Sequence, residues 1–281
     1  REANNTETRN YSDQQTRIGA HAKFDYHITS RHKLTWYNGY MDMREAEVRD
    51  GHDDKEGAVR MKWNHQYIIN STLKGEHAFL EGGVLRLNWS AVLSKAYSET
   101  PDNAEIFFLG NHVQTSGAAI RRWEHNSDKD KAGYLDLMYK LKLDGGSVFD
   151  FSVGGMYRDK KRDSFFNEYT FNSATGVKDP QYQGEDWNNY DEILFTPLKY
   201  GNISDPLNYD ATEKIGAGYG MVKYTYQKWE FIAGVRVEHT NQGYTLKFPT
   251  ENTDPEGYQK YTDVLPSFHA KYGVHKNANL R

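Results

Sequence analysis

Apolar and polar side chains alternate along most of this chain, in runs far longer than an ordinary strand. Between positions 17 and 28, Ile18, Ala20, Ala22, Phe24, Tyr26 and Ile28 alternate with Arg17, Gly19, His21, Lys23, Asp25 and His27. A period of two sends the two sets to opposite faces of an extended strand. An average strand has about 5–6 residues, whereas a tilted strand crossing a bilayer needs about 9–11. The pattern recurs in Val59, Met61, Trp63, Tyr67 and Ile69, in Leu85, Leu87, Trp89, Ala91 and Leu93, and in Leu135, Leu137, Tyr139, Leu141 and Leu143. It returns in Phe149, Phe151, Val153 and Tyr157, in Trp229, Phe231, Ala233, Val235 and Val237, and in Val264, Phe268, Ala270, Tyr272 and Val274. Segments 33–43 and 213–227 are less regular, and Gly216, Gly218 and Gly220 predict a bulge or a change of facing. This reading gives about nine strands and the start of another at Asn279 and Leu280.

The connections fall into two classes. Tight ones are predicted near Thr29-Ser30-Arg31, Asp144-Gly145-Gly146, Gln227-Lys228 and His275-Lys276-Asn277, with a looser one at 79–83. Long excursions near 44–57, 96–131, 159–212 and 241–260 alternate with them. A soluble sandwich has no reason to collect its long loops at one end. An outer-membrane barrel does, with short periplasmic turns and long outer loops. The fold expected is therefore all-β, an antiparallel up-and-down transmembrane β-barrel. An odd strand count cannot close in the usual even-numbered way, and an open edge in lipid leaves backbone groups unpaired. Residues 1–281 are thus expected to form a partial barrel domain.

Composition changes this picture little. Only 37% of the 281 residues are hydrophobic, the mean hydropathy is −0.89, and no run approaches the roughly 18 apolar residues that would suggest a spanning helix. A barrel escapes that test because only alternate strand residues face lipid. The aromatic share of 14%, with 21 Tyr, fits barrel girdles and equally a glycan-binding β domain. A net charge of −4 offers no field suited to nucleic acid. Cysteine is absent, which leaves the compartment open.

Local motifs add a resemblance. Ala233-Gly234-Val235-Arg236-Val237-Glu238 resembles a strand of TonB-dependent outer-membrane receptors. Tyr261-Thr262-Asp263-Val264-Leu265-Pro266-Ser267, with Tyr272 and Asn279-Leu280-Arg281, resembles the hairpin that follows it. Gly75-Glu76-His77, and Pro101-Asp102 placed just beyond a strand, resemble other pieces of the same barrel. The resemblance implies the middle section of a 22-stranded barrel without its N-terminal plug. It further implies a receptor that binds a scarce ligand outside and imports it to the periplasm. The implied partners are outer-membrane lipid, the remainder of the barrel and plug, and TonB acting through the plug. The long loops are expected to be extracellular. The ligand stays open among an iron chelate, a vitamin, an oligosaccharide and a peptide. The alternatives are a soluble or surface-attached glycan-binding β protein and a smaller passive porin.

No catalytic arrangement is visible, and no cofactor is expected. His21 and His27 would be about 20 Å apart along one strand and cannot share a metal unaided. The acidic group Asp50, His52, Asp53, Asp54 and Glu56 lacks the spacing of a calcium loop, so no metal site is assigned. Binding residues gather on loops held by a rigid scaffold. The ligand-binding candidates are therefore the loop aromatics and histidines Phe108, His112, Trp123, His125, Tyr182, Trp187 and Tyr190. The competing reading is that such residues pack each other into a loop core.

Overall fold

A computed structural model describes residues 7–53, 55–109, 112–114, 116–173, 195–198, 207–251, 253–275 and 278–280. The strands are β1 Thr8–Thr29, β2 His32–His52, β3 Glu56–Phe79, β4 Leu85–Leu109, β5 His112–Val113 and β6 Ala119–Lys142. They continue as β7 Val148–Ser173, β8 Phe195–Pro197, β9 Tyr209–Tyr226, β10 Trp229–Leu246, β11 Glu256–His275 and β12 Ala278–Leu280. All belong to one sheet in the order β1-β2-β3-β4-β6-β7-β9-β10-β11-β12, with β5 paired to β4 and β8 to β7. Every pairing is antiparallel, and the long strands follow one another in chain order, with only the short β5 and β8 set to the side, which is the up-and-down meander expected. Among the described residues β1 pairs only with β2, and the sheet is not closed.

The tight turns lie where the pattern breaks. Ser30 and Arg31 alone separate β1 from β2, and Gln227 and Lys228 separate β9 from β10. The β6–β7 turn uses Gly145 (φ 87°) and Gly146 (φ 86°), a left-handed conformation that glycine adopts without steric cost. A short 3-10 turn, Glu81–Gly83, makes the looser connection. Lys276 and Asn277 of the fifth turn lie outside the described residues.

Partners in a β ladder share a face, so the register assigns every side chain. One face carries Phe24, Trp36, Leu73, Leu93, Leu135, Val153, Val235 and Phe268. These apolar groups are open to the surroundings, Phe268 at 74% and Phe24 at 59%. The other face is polar and more sheltered: along β10, Ala233, Val235, Val237 and His239 are exposed, while Gly234, Arg236, Glu238 and Thr240 are half-buried or buried. A soluble protein has the opposite arrangement. Here the apolar side is the more exposed one, as on the lipid-facing outside of a barrel, and the polar side corresponds to the inner face.

The belt also runs obliquely to the strands. The register line through Ile18, the upper end of the apolar run in β1, passes through Asp42, Tyr67, Tyr97, Ser127, Asp163, Asp210 and Thr245 to Glu256. On β11 the belt's upper end is Val264, eight residues lower. That is about 27 Å of descent across about 38 Å of sheet, a slope of about 35°. Strands of membrane barrels tilt by about 35–45° to the membrane normal. At the turn end the belt finishes in an aromatic cluster of Phe149, Phe151, Tyr224, Phe231, Trp229 and Tyr272, with neighbouring ring centroids 4.5–6.5 Å apart.

Three expectations need correction. Among the described residues, the excursions near 44–57, 96–131, 159–212 and 241–260 are largely strand: β2 runs to His52 and β3 starts at Glu56, and β4, β6, β7, β9, β10 and β11 extend far into the other three. Backbone pairing continues above the membrane, but with both faces wet the hydrophobic period that reveals a strand fades. Gly216, Gly218 and Gly220 cause no bulge, since β9 keeps unbroken register with β7 and β10. Pro101 and Asp102 lie inside β4, not beyond it, at an irregularity where Trp63 pairs with Asp102 and His65 with Glu99. Proline, lacking an N–H, suits such a bulge. The extra residue changes the parity of β4. Ala104, Ile106 and Phe108 consequently share the outward face with Val59 and Met61.

Candidate functional site

That parity change builds the one compact apolar core among the described residues. Val59, Ile106, Phe108, Val113, Ala118 and Ala119 are buried together, with Val48, Met61, Phe171 and Phe195 packed against them. The core lies at the loop end, where β5 and β8 fold back onto β4 and β7. Phe108 belongs to it and is only 5% exposed, so its position is one of packing. His112 lies in β5, paired with Leu109. Trp123 and His125 are on β6 and point outward. Trp123 meets Tyr169 edge-on at 5.9 Å, with the Arg121 guanidinium 5.3 Å from its ring centre. His125 stacks on Phe165 at 5.0 Å and on Tyr97 at 6.3 Å, with its Nε2 3.3 Å from Asp163. Tyr182, Trp187 and Tyr190 lie outside the described residues. The structure does not gather Phe108, Trp123 and His125 into one site.

A different set converges on the inner face. At the loop end of β7, β9, β10 and β11 the wall holds a recess of about 1020 Å³ lined by Lys160, Arg162, Tyr209, Glu213, Gln242 and Tyr244, among others. Each of these six stands at an inward-facing register position. Arg162 grips Asp128 with both Nε and Nη2, each 2.7 Å from a carboxylate oxygen. Lys160 approaches the same carboxylate at 3.4 Å. One step toward the turns, the Arg158 Nε donates to Asp130 at 2.9 Å, and a second guanidinium nitrogen lies 3.8 Å from Glu213. These groups sit beyond the apolar belt. The hydrogen bonds from Arg162 hold the Asp128 carboxyl below the usual carboxylate range despite its partial burial. Partly exposed pairs of this kind contribute only about 0–1 kcal/mol each. Their effect is to fix a charge-paired, hydroxyl-bearing surface in place.

The sequence carried a faint sign of this recess. Asp128-Lys129-Asp130 alternates in sign, and 158–163 sets Arg158, Lys160 and Arg162 at every second position, so inward and outward charges can be separated once the register is known. Tyr209, Gln242 and Tyr244 gave no signal, because nothing local distinguishes an inward tyrosine from an outward one. The acidic group near Asp53 resolves into a turn: its carboxylate accepts the backbone N–H of Lys55 at 2.7 Å and of Glu56 at 2.8 Å. Asp54 lies outside the described residues.

Tilted strands, an exposed apolar belt and a wet, charged inner face define the wall of a membrane-spanning β-barrel. The chain belongs to the outer membrane protein beta-barrel family, whose model matches residues 86–281, and its place is the outer membrane. Comparison with curated proteins gives no match. Among solved structures, the siderophore receptor PiuA from Acinetobacter baumannii is 12% identical over 95% of this chain and 43% of its own, with a TM-score of 0.45. BauA, the ferric preacinetobactin receptor of the same organism, is 9% identical over 96% and 45%, TM-score 0.48. The ferric-catecholate import receptor Fiu from E. coli K12 is 11% identical over 95% and 53%, TM-score 0.48. The chain spans about half the length of these structures.

Proposed function

We propose that this chain forms part of the wall and outer loops of a TonB-dependent receptor that binds a scarce ligand outside the cell and imports it unchanged. The observation that carries the reading is the vertical division of the strands. The belt occupies the half beside the tight turns, and the same strands continue well beyond it, with a charged, polar recess at the far end of the inner face. A receptor that must hold its ligand before passage has a use for such a tall, charge-lined vestibule. The motif segments support it further: Val235 and Pro266, from the two resembling stretches, are register partners in β10 and β11. The recess, with charges of both signs and the hydroxyls of Tyr209 and Tyr244, suits a polar, hydroxyl-rich ligand such as a ferric chelate. On this reading the closing strands, plug and TonB contact come from polypeptide beyond residues 1–281, and the long loops are extracellular.

Uptake of labelled ferric chelates, a vitamin and oligosaccharides, by cells with and without the protein, tests the reading. Uptake of one class should vanish with the gene and also with a protonophore. Uptake that persists after the inner-membrane energy source is collapsed would favour the passive porin instead.

A further inference from the structure

Two groups of basic residues above the belt differ in their pairing. Inward-facing Arg158, Lys160 and Arg162 all have carboxylate partners. On the outward face, immediately above the belt, stand Lys95 on β4, Lys129 and Lys131 on β6, Lys161 on β7, Lys214 on β9 and Lys260 on β11. None of the six forms an ion pair among the described residues. Lys95 lies over the rings of Tyr67 at 5.2 Å and Tyr97 at 5.9 Å, and the other five are exposed.

The register makes the arrangement costly as it stands. Lys95 pairs directly with Lys129, and Lys129 directly with Lys161. Three like charges thus sit side by side across three strands, where such pairs are destabilising. In the next row toward the belt, Lys131 and Lys214 flank Asp159, the one carboxylate in these two rows. Carboxylates in the row above are largely engaged by other cations: Asp42 by His65 and Arg44, and Asp163 by Lys247 and His125. Directly beneath the lysines the belt begins, with Leu93, Leu135 and Tyr157 exposed. Gly133 and Gly216 leave that part of the belt shallow, since a Cβ added at either meets nothing within 4 Å.

We propose that these lysines form a docking site for a phosphorylated glycolipid of the outer leaflet. Its phosphates neutralise the Lys95–Lys129–Lys161 row and the Lys131 and Lys214 charges, and its acyl chains lie on the belt below. The lysine stems reach along apolar surface while their ammonium groups stay at headgroup level, where each basic residue adds measurably to anionic lipid attraction. A free phosphate would find the charge but not the adjoining apolar surface, so the site selects the lipid. The assignment rests on the long-loop end being outside the cell.

The test uses the protein extracted from outer membranes into nonionic detergent. Binding of bisphosphorylated lipid A is compared with that of the dephosphorylated form bearing the same acyl chains, and with phosphatidylglycerol. Bisphosphorylated lipid A should bind tighter than either by at least about tenfold. Lys129→Gln, Lys131→Gln, Lys161→Gln and Lys214→Gln together should abolish that preference, and Arg at the same four positions should keep it. Lys140→Gln with Lys142→Gln, at the turn end, should leave it intact. Equal binding of the phosphate-free lipid overturns the proposal, as does a preference unchanged in the four-Gln protein. The Arg variant and single Lys129→Gln cover the case in which the four-Gln protein fails to assemble. Because this assay involves no transport, failure of the uptake reading and failure of the lipid site are separable.

Discussion

Leu87 and Asn88 are neighbours in β4, yet they face different solvents. Leu87 pairs with Leu137 on the outward face, and Asn88 pairs with Glu76 and Asp136 on the inward one. Leu137→Arg or Leu87→Arg should therefore impair membrane assembly by about 2–4 kcal/mol if the site is near midplane. Asn88→Arg, placed between two carboxylates, should be tolerated; heat-resistant migration of the assembled barrel reads both. Equal effects on the two faces would remove the facing assignment. A second residue-scale consequence concerns Asp128. Its folded pKa is depressed by Arg162, so it contributes stability above the unfolded carboxylate value of about 4, and that contribution is lost as pH falls through the lower folded value. Thermal stability should be flat from about pH 7 to 5 and decline below about 4, and Asp128→Asn should flatten the acid limb relative to the parent.

At the scale of the element, the strands were legible wherever one face meets lipid and the other water. The run 17–28, the leucine-rich run beginning at Leu135 and the run beginning at Trp229 could be read directly, as could the Gly145-Gly146 turn. Their continuation was not legible. Above the belt both faces are wet, so 159–173 and 119–131 carry charge on either side and read as loop. The site shared this difficulty. Phe108 and His125 looked alike as loop residues, but a single extra residue in β4 sends Phe108 into a core while His125 stacks in an outward aromatic row. No local pattern announces that bulge, although Pro101 is compatible with it. Deleting Pro101 should restore even pairing and turn Ala104, Ile106 and Phe108 inward. Limited proteolysis should then cut the loop end of β4–β6 readily while the membrane belt still assembles. Unchanged protease resistance would show that the core does not depend on the bulge.

For the whole molecule, the exposed edge of β1 and the three-residue hold of β12 on β11 mean that the sheet as described cannot seal against lipid. Unpaired strand edges are expensive there, so in the membrane both edges should pair with further polypeptide. A tag after Thr175 should be accessible on intact cells, and one after Gly145 should be hidden until the outer membrane is opened. Reversed labelling would invert the orientation without altering the wall itself. The claim beneath all of these is that the apolar face of a tilted sheet meets lipid only in the turn-side half. Because the chain has no cysteine, single cysteines from 125 to 142 along β6 can be spin-labelled in the membrane-embedded protein. Collision with oxygen should peak at 133, 135, 137, 139 and 141. Collision with a water-soluble nickel chelate should peak at the even positions between them, and at 131 and below the odd positions should become water-accessible too. A profile without the two-residue period, or with the even positions in lipid, would contradict the account.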